Sequence, residues 1–145
     1  MSATVIDGKA VAENLRSRIA ERTAALAKQS IVPGLAVVLV GEDPASQVYV
    51  GSKTKQADAA GLRHFDHRLP ASTSTAQLIS LVQELNSRRD VHGILVQLPL
   101  PQGVDSAAVL AAIEPAKDVD GFHAVNAGRL ALGQETTVPC TPSAA

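Results

Sequence analysis

The sequence predicts an α/β fold: a mainly parallel sheet with helices on both faces, arranged in three layers. Three observations carry this expectation. The apolar runs Leu35–Val40 and Gly93–Val96 are short and bounded by turn residues, as in strands buried on both sides. Segments with helical spacing and capping residues lie between and around them. Alternation of strands with helices requires crossover connections, hence parallel pairing under two helical layers.

Taken in order, Asp7 is placed to cap a first helix running to about Gln29. Its Val11, Leu15, Ile19 and Leu26 form an apolar stripe expected to cover the core. After the strand Leu35–Val40, Asp43 followed by Pro44 reads as a helix start, because aspartate accepts free amides and proline's missing N–H costs nothing there. This helix is expected to end at Gly61. Arg63 to Leu69 alternates, with Phe65, His67 and Leu69 on one side, and reads as a second strand. Ser74 and Gln77 match a capping box ahead of Leu78, Leu81, Val82 and Leu85. Gly93–Val96 follows as a buried strand, and Asp105 then caps a short helix through Ile113 that stops before Pro115. Ala124 to Gly133 is polar and marked by glycine, with no element assigned. Thr137–Pro142 reads as stiff and extended, with Thr141 and Pro142 as N-cap and first position of another helix.

With 145 residues, 46% apolar and 19% charged, the chain fits one folded domain with its own core. A formal charge of −1, one Tyr and two Phe supply neither a basic footprint nor stacking platforms, so a nucleic-acid partner is not expected. No apolar run approaches a membrane span, and no basic segment followed by an apolar stretch opens the chain, so neither anchoring nor secretion is expected. The single Cys140 excludes an intrachain disulfide, and the cytoplasm is the expected location.

Ser46, Tyr49 and Lys53 share one helix face just beyond the carboxyl end of a strand, where open α/β sheets place their ligand crevice. Tyr-x-x-x-Lys alone fits any amphipathic helix. Short-chain dehydrogenases also carry the pair, but they need an early glycine-rich phosphate turn, and nothing between Met1 and Gly41 resembles one. Gln97 closes a buried strand ahead of two prolines; its amide either satisfies loop backbone or bonds both a neighbour and a ligand. Asp118 and Asp120 precede Gly121, a spacing that suits a turn with carboxylate-to-backbone bonds or a carboxylate receiving N–H groups of a heterocycle. His64 and His67 differ by an odd number and so face opposite ways on a strand, while His92 and His123 lack nearby ligands; no metal site is expected. Cys140 has no adjacent base and reads as a small buried residue rather than a nucleophile.

Read together, Val40-Gly-Glu-Asp-Pro-Ala-Ser-Gln-Val-Tyr-Val-Gly-Ser-Lys53, Gly93-Ile-Leu-Val-Gln-Leu-Pro-Leu-Pro101, Lys117-Asp-Val-Asp-Gly-Phe122 and Pro139-Cys-Thr-Pro142 closely resemble the bifunctional methylenetetrahydrofolate dehydrogenase/methenyltetrahydrofolate cyclohydrolase family. The resemblance runs from Ile6-Asp7-Gly8-Lys9 to Pro142 and covers the N-terminal catalytic half of such an enzyme. It implies a folate substrate bound in a cleft between two domains. Lys53 is then the central catalytic residue, and Tyr49 stacks against or orients the folate rings. Gln97 hydrogen-bonds Lys53, Asp120 holds the pterin edge, Val96, Gln97 and Leu98 line the site, and Ser46 is a supporting polar group.

The family reaction oxidises 5,10-methylenetetrahydrofolate with NADP and hydrolyses the methenyl product to 10-formyltetrahydrofolate, in an enzyme implied to be a homodimer. The resemblance thus divides the chain into a folate-binding catalytic domain, 1–122, and the start of an interdomain linker, 123–145. The NADP-binding Rossmann domain of the family is expected to be absent, and with it the dinucleotide phosphate site, one wall of the cleft and dehydrogenase activity of the chain alone. Ala124 and Ala144 stand where many relatives have proline and glycine. Two rivals remain: a non-catalytic folate-binding or interaction domain, and a flavodoxin-like module. The second would explain the topology but not Tyr49, Lys53, Gln97 and Asp120 together.

Overall fold

A computed structural model describes residues 7–140. The elements follow in the order α1 (Gly8–Ala27), β1 (Gly34–Val40), α2 (Pro44–Ala59), β2 (Arg63–Leu69), α3 (Thr75–Ser87), β3 (Gly93–Val96), α4 (Ser106–Ala111) and α5 (Ala124–Ala131). The strands form one parallel sheet in the order β2-β1-β3. Central β1 sends Ala36, Val38 and Val40 to one face, where Leu78, Val82 and Leu85 of α3 and Val109 of α4 pack. Val37 and Leu39 go to the other face with Leu95 and Val50 of α2. The expected three layers are therefore present, because a strand flanked on both edges has no polar side to offer.

Local signals in the sequence are realised with their expected chemistry. Asp7 accepts the Lys9 and Ala10 amides, Asp43 that of Ser46 at 2.8 Å, and Asp105 that of Ala108. Ser74 and Gln77 close the capping box. Edge strand β2 alternates as its pattern requires: Phe65 and Leu69 pack toward α3, whereas His64 meets Asp58 of α2 at 2.8 Å. Lys117 seals the carboxyl end of α3, where its Nζ donates to the Leu85, Asn86 and Arg88 carbonyls.

Three expectations need correction. The α1 stripe does not cover the core: Val11 and Leu15 are 60% and 55% exposed, and Thr23 is the buried residue of α1, donating from its hydroxyl to the Ala60 carbonyl. Periodicity defines an apolar face, but what lies against that face depends on the rest of the fold. Helix α4 ends at Ala111, before the expected Ile113, because the chain tightens into i→i+3 bonds from Ala112 and Ile113. The stretch after His123, to which no element was assigned, forms α5, capped by His123 Nδ1 receiving the Val125 amide. Ala124 is the first residue of that helix, a position that tolerates the relatives' proline equally well. The helix start expected at Thr141–Pro142 lies outside the described residues.

Candidate functional site

The carboxyl end of β3 opens onto a cavity of about 690 Å³. Helix α2 forms one wall. Its first amides are taken by Asp43, whose carboxyl lies below its ordinary value because it accepts hydrogen bonds from Ser46. Beyond this start, Tyr49 and Lys53 reach the cavity, with Lys53 Nζ 4.3 Å from the Tyr49 ring centroid, a cation held against a π face.

The floor is the end of β3. Gln97 continues the ladder by donating its N–H to the Val38 carbonyl, and the chain then turns through a cis Leu98–Pro99 peptide. The Gln97 amide donates from Nε2 to the Leu98 carbonyl at 2.6 Å, leaving Oε1 buried with no partner among the described residues. The implied Gln97–Lys53 hydrogen bond is therefore not made: the lysine rests on Tyr49, and the acceptor it would meet is left open.

The opposite wall is the turn after α4. Ile94 receives a bridge from this segment, its N–H donating to the Lys117 carbonyl at 2.7 Å, and this registers Asp118 to Phe122 beside β3. Asp118 is 4% exposed and points away from the cavity. Its Oδ1 accepts the Gly121 amide at 3.0 Å, and its Oδ2 accepts the His123 amide and Asn126 Nδ2, each at 2.9 Å. Asp120 lines the cavity with Val119 and Phe122. Burial pushes the Asp120 carboxyl above its ordinary value; the charge of Lys53 opposes this, and that of Asp118 adds to it. The turn reading of the Asp-x-Asp-Gly segment is thus realised on Asp118, while Asp120 faces the cavity.

Of the expected site residues, Tyr49, Lys53, Val96, Gln97, Leu98 and Asp120 line one cavity. Ser46 does not: it is buried at the base of α2, and its polar work is at Asp43. Cys140 is exposed and lines the cavity beside Pro139, against the expectation of a buried thiol. Leu95, Val119, Phe122 and Pro139 were not singled out as lining residues; Phe122 alone carried a signal, as a large apolar residue fixed beside Gly121.

Among the described residues, those at the β1–α2 junction do not fit a dinucleotide phosphate. At the β1–α2 junction, where a phosphate turn would lie, stand Glu42 and Asp43, and Asp43 already occupies a helix-start amide. Among the described residues no group of three or more His, Cys, Asp or Glu could hold a metal ion, and no helix is long and apolar enough to cross a membrane.

The model of the tetrahydrofolate dehydrogenase/cyclohydrolase catalytic domain matches residues 6–120. The bifunctional protein FolD of Cereibacter sphaeroides is 59% identical over 98% of this chain and 48% of its own length. That of Bradyrhizobium diazoefficiens is 57% identical, over 98% and 49%. The crystal structure of the bifunctional FolD enzyme from Campylobacter jejuni superposes with a TM-score of 0.96 at 41% identity, covering 98% of this chain and 51% of that one. The Trypanosoma brucei methylenetetrahydrofolate dehydrogenase-cyclohydrolase, complexed with NADP cofactor and inhibitor, gives 0.93 at 40% identity, over 99% and 50%. The chain spans about half the length of the relatives it matches. On these grounds the chain belongs to the tetrahydrofolate dehydrogenase/cyclohydrolase family and carries its catalytic domain.

Proposed function

We propose that this chain supplies the folate-binding and proton-transferring half of an enzyme that oxidises 5,10-methylenetetrahydrofolate with NADP and hydrolyses the 5,10-methenyl product to 10-formyltetrahydrofolate. The observation carrying this is the convergence of Tyr49, Lys53, Gln97 and Asp120 on one cavity beside the β3 carboxyl end. The cavity's size and largely apolar walls suit a flat heterocycle with a few polar edges. The acidic β1–α2 junction does not suit the phosphates of NADP, so the residues of this chain act on the folate.

In the hydrolytic half, water adds to the cationic methenyl carbon and loses one proton; the hydroxyl so formed loses its second proton as it becomes the formyl carbonyl, the bond from that carbon to one ring nitrogen breaks, and that nitrogen takes up one proton while the other is released to solvent. Lys53 is the amine lining the cavity, and its Nζ takes the first proton from water and delivers a proton to the departing nitrogen. Asp120 accepts N–H groups of the pterin edge, and Tyr49 offers its exposed ring for stacking. A ligand ring on Tyr49 displaces Lys53 from that face, and the open Gln97 Oε1 is the acceptor that can receive it. Val96 and Leu98 supply apolar contact. The homodimeric state and cytoplasmic location belong to the same proposal; they rest on the resemblance and, for location, on the single Cys140.

Titration calorimetry of an enzyme of full family length with 5,10-methenyltetrahydrofolate tests the reading; the 145-residue chain alone is expected to bind it weakly or not at all. In the full-length enzyme, binding that is lost in Asp120→Ala is expected; equal heats from native enzyme and variant would overturn it. Incubation of the chain alone with 5,10-methylenetetrahydrofolate and NADP is expected to form no NADPH. A rival non-catalytic folate-binding domain would bind as well but, at full family length, hydrolyse nothing.

A further inference from the structure

Pro139 and Cys140 form a cavity wall without belonging to the sheet, so something other than a strand ladder must locate them. Two features do so. Thr136 Oγ1 donates to Asn126 Oδ1 at 2.9 Å, and Asn126, 2% exposed, donates from Nδ2 to Asp118 Oδ2 and to the Pro115 carbonyl, each at 2.9 Å. Gly121, at φ +69°, lets the two segments meet: a Cβ there would lie 2.8 Å from the Thr137 carbonyl oxygen and 3.0 Å from Pro139. Hence a buried to half-buried chain of hydrogen bonds, Thr136 to Asn126 to Asp118 to the amides of Gly121 and His123, joins the turn bearing Asp120 to the segment bearing Pro139 and Cys140.

We propose that Asp118, Asn126 and Thr136 are positioning residues that fasten these two walls together and so set the slot in which the folate ring lies. The inference rests on the folate reading of the cavity. None of the three lines the cavity, and each acts through a neighbour that does: Asp118 through Asp120, Thr136 through Pro139 and Cys140. Buried acceptors and donors satisfied in sequence make the link stiff, because breaking one bond strands its partner out of water.

The test compares Thr136→Val, which removes the hydroxyl at nearly constant shape, with Thr136→Ser, which keeps it. Val82→Ala, on the far side of the sheet, is the control for lost stability alone. In the ligand-free chain, NMR reads the Gly121–Pro139 proximity and the titration of the Asp120 carboxyl, whose charged neighbours are Lys53 from α2 and Asp118 from its own turn. Calorimetry of the same variants in an enzyme of full family length reads methenyltetrahydrofolate affinity.

Thr136→Val is expected to lose the Gly121–Pro139 proximity, to move the Asp120 midpoint toward that of an ordinary carboxylate, and to bind folate roughly threefold to tenfold more weakly, the value of one hydrogen bond. Thr136→Ser and Val82→Ala keep all three. If Thr136→Val retains the proximity and the titration, or if Val82→Ala loses them equally, the proposal is overturned. Loss of the proximity in Thr136→Val, with a native enzyme of full family length that binds no folate, supports the fastening and rejects the folate reading.

Discussion

The two faces of the sheet are built to different ends. Toward α3 and α4, residues from four elements and two adjoining loops close into a continuous apolar core, with Leu78, Val82, Leu85 and Val109 each 0% exposed. Toward α2, Val37, Leu39, Leu95 and Val50 make a much smaller cluster, and beyond it the packing stops at the cavity holding Lys53 and Asp120. The first face supplies stability by removing apolar surface from water; the second gives up part of that gain for a concave site where charge is held half-buried. The comparison implies that substitutions should separate cleanly, stability lying on one side and ligand chemistry on the other.

The largest expected effect is on the chemical face. In an enzyme of full family length, Lys53→Met should cut methenyl hydrolysis by about 10²- to 10⁴-fold, the usual span for a lost proton-transfer group, with a small change in Tm. A folded variant hydrolysing at the native rate would remove Lys53 from the mechanism. On the opposite face, Leu78→Ala should cost about 2–5 kcal/mol in urea unfolding, while the folded fraction keeps its folate affinity. If that affinity falls with stability, the two faces are not independent.

Asp120→Asn should raise KM for the folate by about tenfold, with kcat changed much less, since an amide presents donors where the pterin edge needs acceptors. Unchanged KM and affinity would return Asp120 to a turn-forming role. The smallest effect concerns pH. The folded Asp120 carboxyl titrates above its unfolded value of 3.8, so the folded state binds the extra proton. Its contribution therefore destabilises the fold as pH rises from near 3.8 through the raised folded value, and vanishes below. Asp120→Asn should gain stability relative to the native chain at pH 7 more than at pH 3; equal differences at both would show that burial does not perturb this group. Asp43 has the opposite sign, its contribution being lost as pH falls through its lowered folded value.

Helix starts at Asp7, Asp43, Ser74 and Asp105 and the three strands were legible from the chain, whereas the gathering of Tyr49, Lys53, Gln97 and Asp120 was implied by the family resemblance. Caps act over three residues, and a buried strand advertises itself by composition, so these need no knowledge of the remainder. Helix α5 was hidden because its cap is a histidine and Gly128 interrupts its interior. Tertiary structure alone decided that Ser46 turns inward, that Cys140 faces the cavity, that Lys53 rests on Tyr49 rather than Gln97, and which aspartate is buried. Asp118 and Asp120 differ by two positions in an otherwise symmetrical motif, and what separates them is Asn126, itself held by Thr136. A side chain's role follows from the partners that reach it, and those partners are brought together by packing across the fold, not by the local spacing that forms a helix or a strand.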